Sequence, residues 1–106
     1  MTGTTKQIAY ATDIINKTIA RIDEVIADGT QKIERREASA RAMYPEYVCP
    51  DRKILAAWEE CKAYMRMVEE KTENAADIIA YEKAEGWFDY VEICVCQMCG
   101  HSRINA

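Results

Sequence analysis

The chain has 106 residues, of which 49% are hydrophobic and 30% charged, and its formal net charge is −4. That length fits one domain with a modest core, and the apolar content excludes a disordered chain, while the acidic balance excludes a strongly basic nucleic-acid binder. The polar start from Met1 to Gln7 has no apolar h-region, and no apolar run approaches the ~20 residues of a membrane span, so a cytoplasmic location is expected.

Few glycines and prolines among many alanines, glutamates, isoleucines, lysines and arginines predict an all-α fold, a small bundle of three to four helices. The first helix is predicted over 5–28. Thr4 or Thr5 caps it, and Ile8, Ala11, Ile14, Ile15, Ile19, Ile22, Val25 and Ile26 recur at a period near 3.6, which makes one apolar face. Asp28-Gly29 supplies a stop, since glycine accepts the left-handed conformation after a helix. A second, mostly polar helix is predicted over 31–43, capped by Thr30, with Ile33, Ala40 and Met43 as its buried positions.

Both prolines fall in the connection Tyr44-Pro45-Glu46-Tyr47-Val48-Cys49-Pro50. Asp51 is a good N-cap for a third helix over 52–71, whose stripe is Ile54, Leu55, Trp58, Cys61, Met65 and Val68. Thr72-Glu73-Asn74 interrupts it. A fourth helix follows over 75–92, weakened at Glu85-Gly86, with Trp87 and Phe88 expected in the core. The whole is one domain, 1–106, ending in a tail over 94–101.

That tail, Cys94-Val-Cys96-Gln-Met-Cys99-Gly-His101, holds three of the five cysteines and the single histidine. An odd number of cysteines in a reducing compartment points to metal rather than to a disulfide framework. Structural zinc takes about four thiolate or imidazole ligands in a tetrahedron, and Cys96-x-x-Cys99-Gly has the spacing of a zinc knuckle. An extended backbone would project Cys94 and Cys96 to the same side. Cys96 and Cys99 are therefore the first expected ligands, and Cys49, Cys94 and His101 compete for the remaining places. Cys61 reads as a core residue. The competing reading is a set of free, partly buried cysteines beside a surface histidine. A redox reading of Cys96-x-x-Cys99 would need a βαβ context that the pattern lacks.

Two surfaces are expected to meet a partner. The whole net charge of −4 falls between Glu59 and Glu85, and Glu69, Glu73 and Asp77 are spaced by four, forming an acidic stripe if the helix is unbroken there. Tyr44 and Tyr47 flank a proline loop and suit partner contact. The other expectation is a DNA- or RNA-associated regulator using Lys32, Arg35, Arg36 and Arg41, against which a solvated, ion-paired helix is weighed. With one histidine and no recognisable serine, glycine or carboxylate motif, an enzyme is not expected.

The segment Thr2-Gly3-Thr4-Thr5-Lys6-Gln7-Ile8-Ala9-Tyr10-Ala11 resembles the start of small proteins carried by Gram-positive bacteria and their mobile elements, and Ala84-Glu85-Gly86-Trp87-Phe88-Asp89 resembles a short aromatic helix found further on in them. By type, a small, acidic, helical chain with a compact zinc site is similar to phage-encoded anti-CRISPR proteins of the kind that inhibit type II RNA-guided nucleases. That resemblance implies a non-enzymatic inhibitor in a bacterial host cell. Such an inhibitor binds the nuclease and blocks loading of guide or target nucleic acid.

Overall fold

In a computed structural model of the protein, which describes residues 1–104, four helices are joined by short turns: α1 (Thr5–Arg41), α2 (Arg52–Lys71), α3 (Ala75–Ala84) and α4 (Trp87–Cys99). The all-α expectation holds. The molecule is a rod with extents of 59 × 21 × 19 Å. One helix sets that length: 37 residues at 1.5 Å each make α1 about 55 Å long.

Thr4 is the N-cap of α1, in a reciprocal capping box. Its hydroxyl accepts from the Gln7 amide at 3.1 Å, and the Gln7 side chain accepts from the Thr4 amide at 3.0 Å. Of the predicted apolar stripe, Ala11, Ile14, Ile15, Ile19 and Ile22 are buried, and Ile8, Val25 and Ile26 are partly buried against the core; Ile33, expected buried in the next helix, is buried too. α2 runs back along α1, as the Lys62–Asp23 pair at 2.7 Å and the Arg66–Asn16 hydrogen bond at 3.1 Å show. α3 and α4 form a broken third rod parallel to α1. Near one end of the bundle the Thr2 amide donates to the Glu73 carbonyl, and the Ala75 amide donates to the Thr2 carbonyl at 2.8 Å. Further along, the Arg21 guanidinium on α1 lies 3.8 Å from the centroid of Phe88 on α4.

Two expected boundaries and one expected core position are corrected. The helices expected over 5–28 and 31–43 are one helix, and Asp28-Gly29 does not stop it. Gly29 is buried, and a Cβ built there would lie 2.7 Å from Ile104 Cδ1 and 3.0 Å from Leu55 Cδ2. The glycine is therefore a crossing point, where the C-terminal tail and α2 approach the backbone of α1. Thr30, read as a cap, instead donates its hydroxyl back to the Ile26 carbonyl at 2.7 Å within the continuing helix.

The helix expected over 75–92 is divided at Gly86 and extends further than expected, to Cys99. Gly86 has φ +87°, a conformation that side chains with a Cβ rarely adopt. The Glu85 and Gly86 amides both donate to the Tyr81 carbonyl, closing α3, while the Glu82 carboxylate accepts from the Trp87 amide at 2.9 Å and opens α4. The interruption expected at Thr72-Glu73-Asn74 is present: Asn74 caps α3 by accepting from the Ala76 amide at 3.0 Å.

The third correction concerns Met43, expected in the core and found 78% exposed. The bundle ends near Ile33. The last two turns of α1 project beyond it, so position 43 has no facing helix.

The Gly29 crossing makes a test. In free solution, glycine in a helix interior costs about 0.5–1 kcal/mol relative to alanine. Gly29→Ala in a background carrying both Ile104→Ala and Leu55→Ala, which removes both close contacts, should therefore be stabilising by about that amount. Gly29→Leu in the native background should cost about 1–3 kcal/mol through overpacking. Urea unfolding of the three variants checks both signs.

Candidate functional site

The projecting end of α1 and the connection that follows it form a tip. Met43 N–H and Tyr44 N–H donate to the Ala40 carbonyl, and the Tyr47 amide donates to the Tyr44 carbonyl at 2.9 Å, so the chain reverses tightly around Pro45. Met43, Tyr44 and Val48 are 78%, 66% and 62% exposed, and Tyr47 is half-buried against the core. The two tyrosines expected to meet a partner thus sit on one protruding loop with Val48, which was expected in this connection, and Met43, which was expected in the core.

What holds this loop is Glu37, which is only 2% exposed. Its carboxylate receives both a side-chain fork and a backbone amide. Arg52 Nε donates to Oε2 at 2.8 Å and Arg52 Nη2 donates to Oε1; the Cys49 amide donates to Oε2 at 2.9 Å. Arg41 Nη2 lies 3.6 Å from Oε1, and Arg41 Nε donates to the Tyr47 carbonyl at 2.9 Å. Hydrogen bonds from Arg52 and the Cys49 amide hold the Glu37 carboxyl well below the glutamate value of 4.5, at about 2.

Asp51 begins α2 as expected, but its side chain makes no capping bond. Arg36 takes the carboxylate, and His101 Nε2 lies 3.8 Å from it. Three of the four residues of the basic helix are turned onto carboxylates of the same chain: Lys32 on Asp28 at 3.0 Å, Arg36 on Asp51, and Arg41 on Glu37. That arrangement leaves Arg35 alone on the exposed side.

The cysteines are placed differently from the expected zinc loop. Cys94, Cys96 and Cys99 all lie on α4, and Gly100, read as the glycine of a knuckle, is the left-handed cap that ends this helix at φ +86°. Its amide donates to the Cys96 carbonyl at 2.7 Å. On a helix Cys94 and Cys96 are about 200° apart and point to opposite sides, which corrects the extended-backbone argument for that pair. Cys99 Sγ lies 3.7 Å from the Lys53 carbonyl, and Cys49 is buried in the connection under Glu37. His101 is more than half exposed. Among the described residues no three histidine, cysteine, aspartate or glutamate side chains converge to hold a metal ion. In this conformation the five expected ligands do not fit a tetrahedral zinc.

The tail is nevertheless clasped. The Trp58 indole N–H donates to the Ser102 carbonyl at 2.8 Å, and the Trp58 ring stacks on Phe88 with centroids 5.7 Å apart. The Arg103 guanidinium lies 5.8 Å from both ring centroids and pairs with Glu92 at 2.9 Å. Ile104 closes over Gly29. Indole, arginine and isoleucine thus hold the tail in this structure.

The acidic stripe is broken. Glu69 lies on α2, Glu73 in the turn and Asp77 on α3, with the helix axis redirected between them. These residues sit toward the Thr2–Asn74 end, and Tyr44 and Tyr47 project beyond the other, so no single face presents both sets.

No protein-family model matches the chain, and no curated protein or solved structure matches it either. Among the described residues no helix is long and apolar enough to cross a membrane.

Two outcomes follow from the geometry. The stability contributed by the Glu37 carboxylate is complete above pH 4.5 and disappears as pH falls toward about 2, because its folded-state pKa is depressed. Glu37→Gln should be less stable than the native protein at neutral pH, with the difference closing through that window; acid titrations followed by circular dichroism that run parallel would refute this. Trp58→Phe leaves the Ser102 carbonyl without its donor and should cost about 1–3 kcal/mol. Faster hydrogen exchange across residues 100–104 should accompany that loss.

Proposed function

We propose that the protein is a non-enzymatic binding module that docks on a partner protein through the tip formed by Met43, Tyr44, Tyr47 and Val48. The observation that carries this reading is the exposure of three large apolar side chains on a loop of six residues, held from beneath by a buried carboxylate network. An apolar loop that served only as a connection would gain by being polar. One that is exposed, aromatic and fixed presents contact area without first losing conformational freedom. The acidic half of the rod, between Glu59 and Glu85, adds long-range attraction toward a basic partner.

The specific partner proposed is a type II RNA-guided nuclease, with the chain as its phage-encoded inhibitor. This rests on the resemblance by type set out above. The internal pairing of Lys32, Arg36 and Arg41 favours a protein partner over direct nucleic-acid binding. Structural zinc, the cofactor expected from the sequence, would require α4 to unwind around Cys96 and Cys99; elemental analysis of the purified protein reads it directly.

The deciding experiment is target cleavage by a purified type II nuclease with the native protein in excess, beside Tyr44→Ala and Met43→Ser. Inhibition by the native chain that both variants lose, at unchanged melting temperature, supports the reading. Undiminished cleavage excludes this partner. Inhibition retained by both variants excludes the tip as the contact.

A further inference from the structure

Cys61 was read from the sequence as a core residue, and it is buried, 7% exposed, on the face of α2 that meets α4. Two contacts fix the antiparallel register of these helices. The Tyr64 and Tyr90 rings lie 6.2 Å apart, and Cys99 Sγ lies 3.7 Å from the Lys53 carbonyl. Stepping three residues back along α2 from Tyr64 reaches Cys61, and stepping four forward along α4 from Tyr90 reaches Cys94. Both steps move the same way along the seam and stay on the same helix face. Cys61 and Cys94 are therefore neighbours one turn from the tyrosine pair. Cys94 is half-buried and packed against the core. Burial pushes the Cys61 thiol up, and the charges of Cys94, Glu60 and Cys99 push it the same way.

We propose that Cys61 and Cys94 are a redox-active thiol pair that closes to a disulfide across the α2–α4 seam. The neighbouring pair within α4 is disfavoured by geometry. Cys96 and Cys99 are three apart on an intact helix, with Cβ atoms about 5–6 Å apart, beyond the roughly 3.5–4.5 Å a disulfide spans. Cys49 lies in the connection beneath Glu37, its backbone amide held by that carboxylate.

The oxidant is a low-molecular-weight disulfide such as oxidised glutathione. The more accessible Cys94, as thiolate, attacks one glutathione sulfur, breaking the S–S bond and releasing one glutathione thiolate. Cys61, having given its proton to solvent, then attacks the Cys94 sulfur. That step forms the Cys61–Cys94 bond, breaks the mixed disulfide and releases the second glutathione. The two protein thiols lose two electrons and two protons in all, and the glutathione disulfide is reduced to two thiols. The bond would lock α4, and with it the tail that Trp58 holds, onto α2.

The full-length reduced protein is incubated with oxidised glutathione, and its intact mass and peptide map are read. The expected product has lost two hydrogens and carries a peptide linking Cys61 to Cys94. Cys61→Ser should stop at a glutathione adduct on Cys94, whereas Cys49→Ser and Cys96→Ser should still close the bond. Cys61→Ala serves as a second variant if the serine does not fold, judged by circular dichroism. A linkage between Cys96 and Cys99, or adducts on Cys94 in the native protein that never resolve to an intramolecular bond, would overturn the proposal.

Discussion

The buried carboxylate of Glu37 is the constraint from which the working end of this molecule follows. A glutamate that is 2% exposed is costly unless its oxygens are fully bonded, and here they are bonded both by the end of the loop and by the start of the next helix. The Cys49 amide comes from the returning loop, and the Arg52 fork comes from the first residue of α2. Satisfying one carboxylate therefore fixes where the chain re-enters the bundle and the direction in which α2 leaves. Arg36 on Asp51 repeats the same tie from the residue next to Glu37 on α1. Arg36, Arg41 and Arg52 bond inward, and what remains outward on the tip is mainly apolar.

A long helix makes this arrangement useful. α1 continues about two turns past the ends of the neighbouring helices, so the first half of the loop stands out at the tip while Tyr47 and Cys49 fold back onto the body. The continuity depends on Gly29 in a way that reverses its usual meaning. At that position helix propensity would prefer alanine, and the absence of a side chain is used instead to let Ile104 and Leu55 close on the backbone. One small residue thus serves the length of the spine and the anchoring of the tail. The Trp58–Ser102 bond and the Arg103 contacts then hold the tail on the side where α2 meets α4.

Much of this was legible in the sequence, and the failures have a common physical cause. Helical periodicity placed Ile15, Ile22, Ile54, Trp58 and Met65 in the core, because burial of a stripe is a local property of spacing. The Thr4 cap and the Asn74 break were readable for the same reason. Gly29, Gly86 and Gly100 were not separable by local reasoning. Gly29 reads as a stop, Gly86 as a weakening and Gly100 as the turn of a knuckle, yet the first is a packing contact in mid-helix, the second divides two helices and the third ends a helix. The difference lies in what faces each of them, which is a tertiary fact. Glu37 gave no signal beyond its spacing of four from Arg41, since nothing in a linear sequence distinguishes a glutamate bonded by Arg52 and the Cys49 amide from one in water. The tyrosines of the tip were legible because proline confined them to a loop. The exposure of Met43 was not, because it depends on where the neighbouring helices end.

The cysteines carry the same lesson into chemistry. Close spacing in sequence suggested a shared ligand, and that inference needs an extended or knuckled backbone. Phe88, Val91 and Val95, at spacings of three and four, bury one face of the helix that begins at Trp87, and Gly100 stops it only after Cys99. A helix disperses thiols two apart and brings together thiols one turn apart, on itself or on a packed neighbour. The chemistry of Cys94 is therefore set by Cys61, thirty-three positions away, rather than by Cys96 beside it. In a helical bundle the sequence distance that matters between two reactive groups is the register of the packed helices, and here two contacts, Tyr64 with Tyr90 and Lys53 with Cys99, determine it.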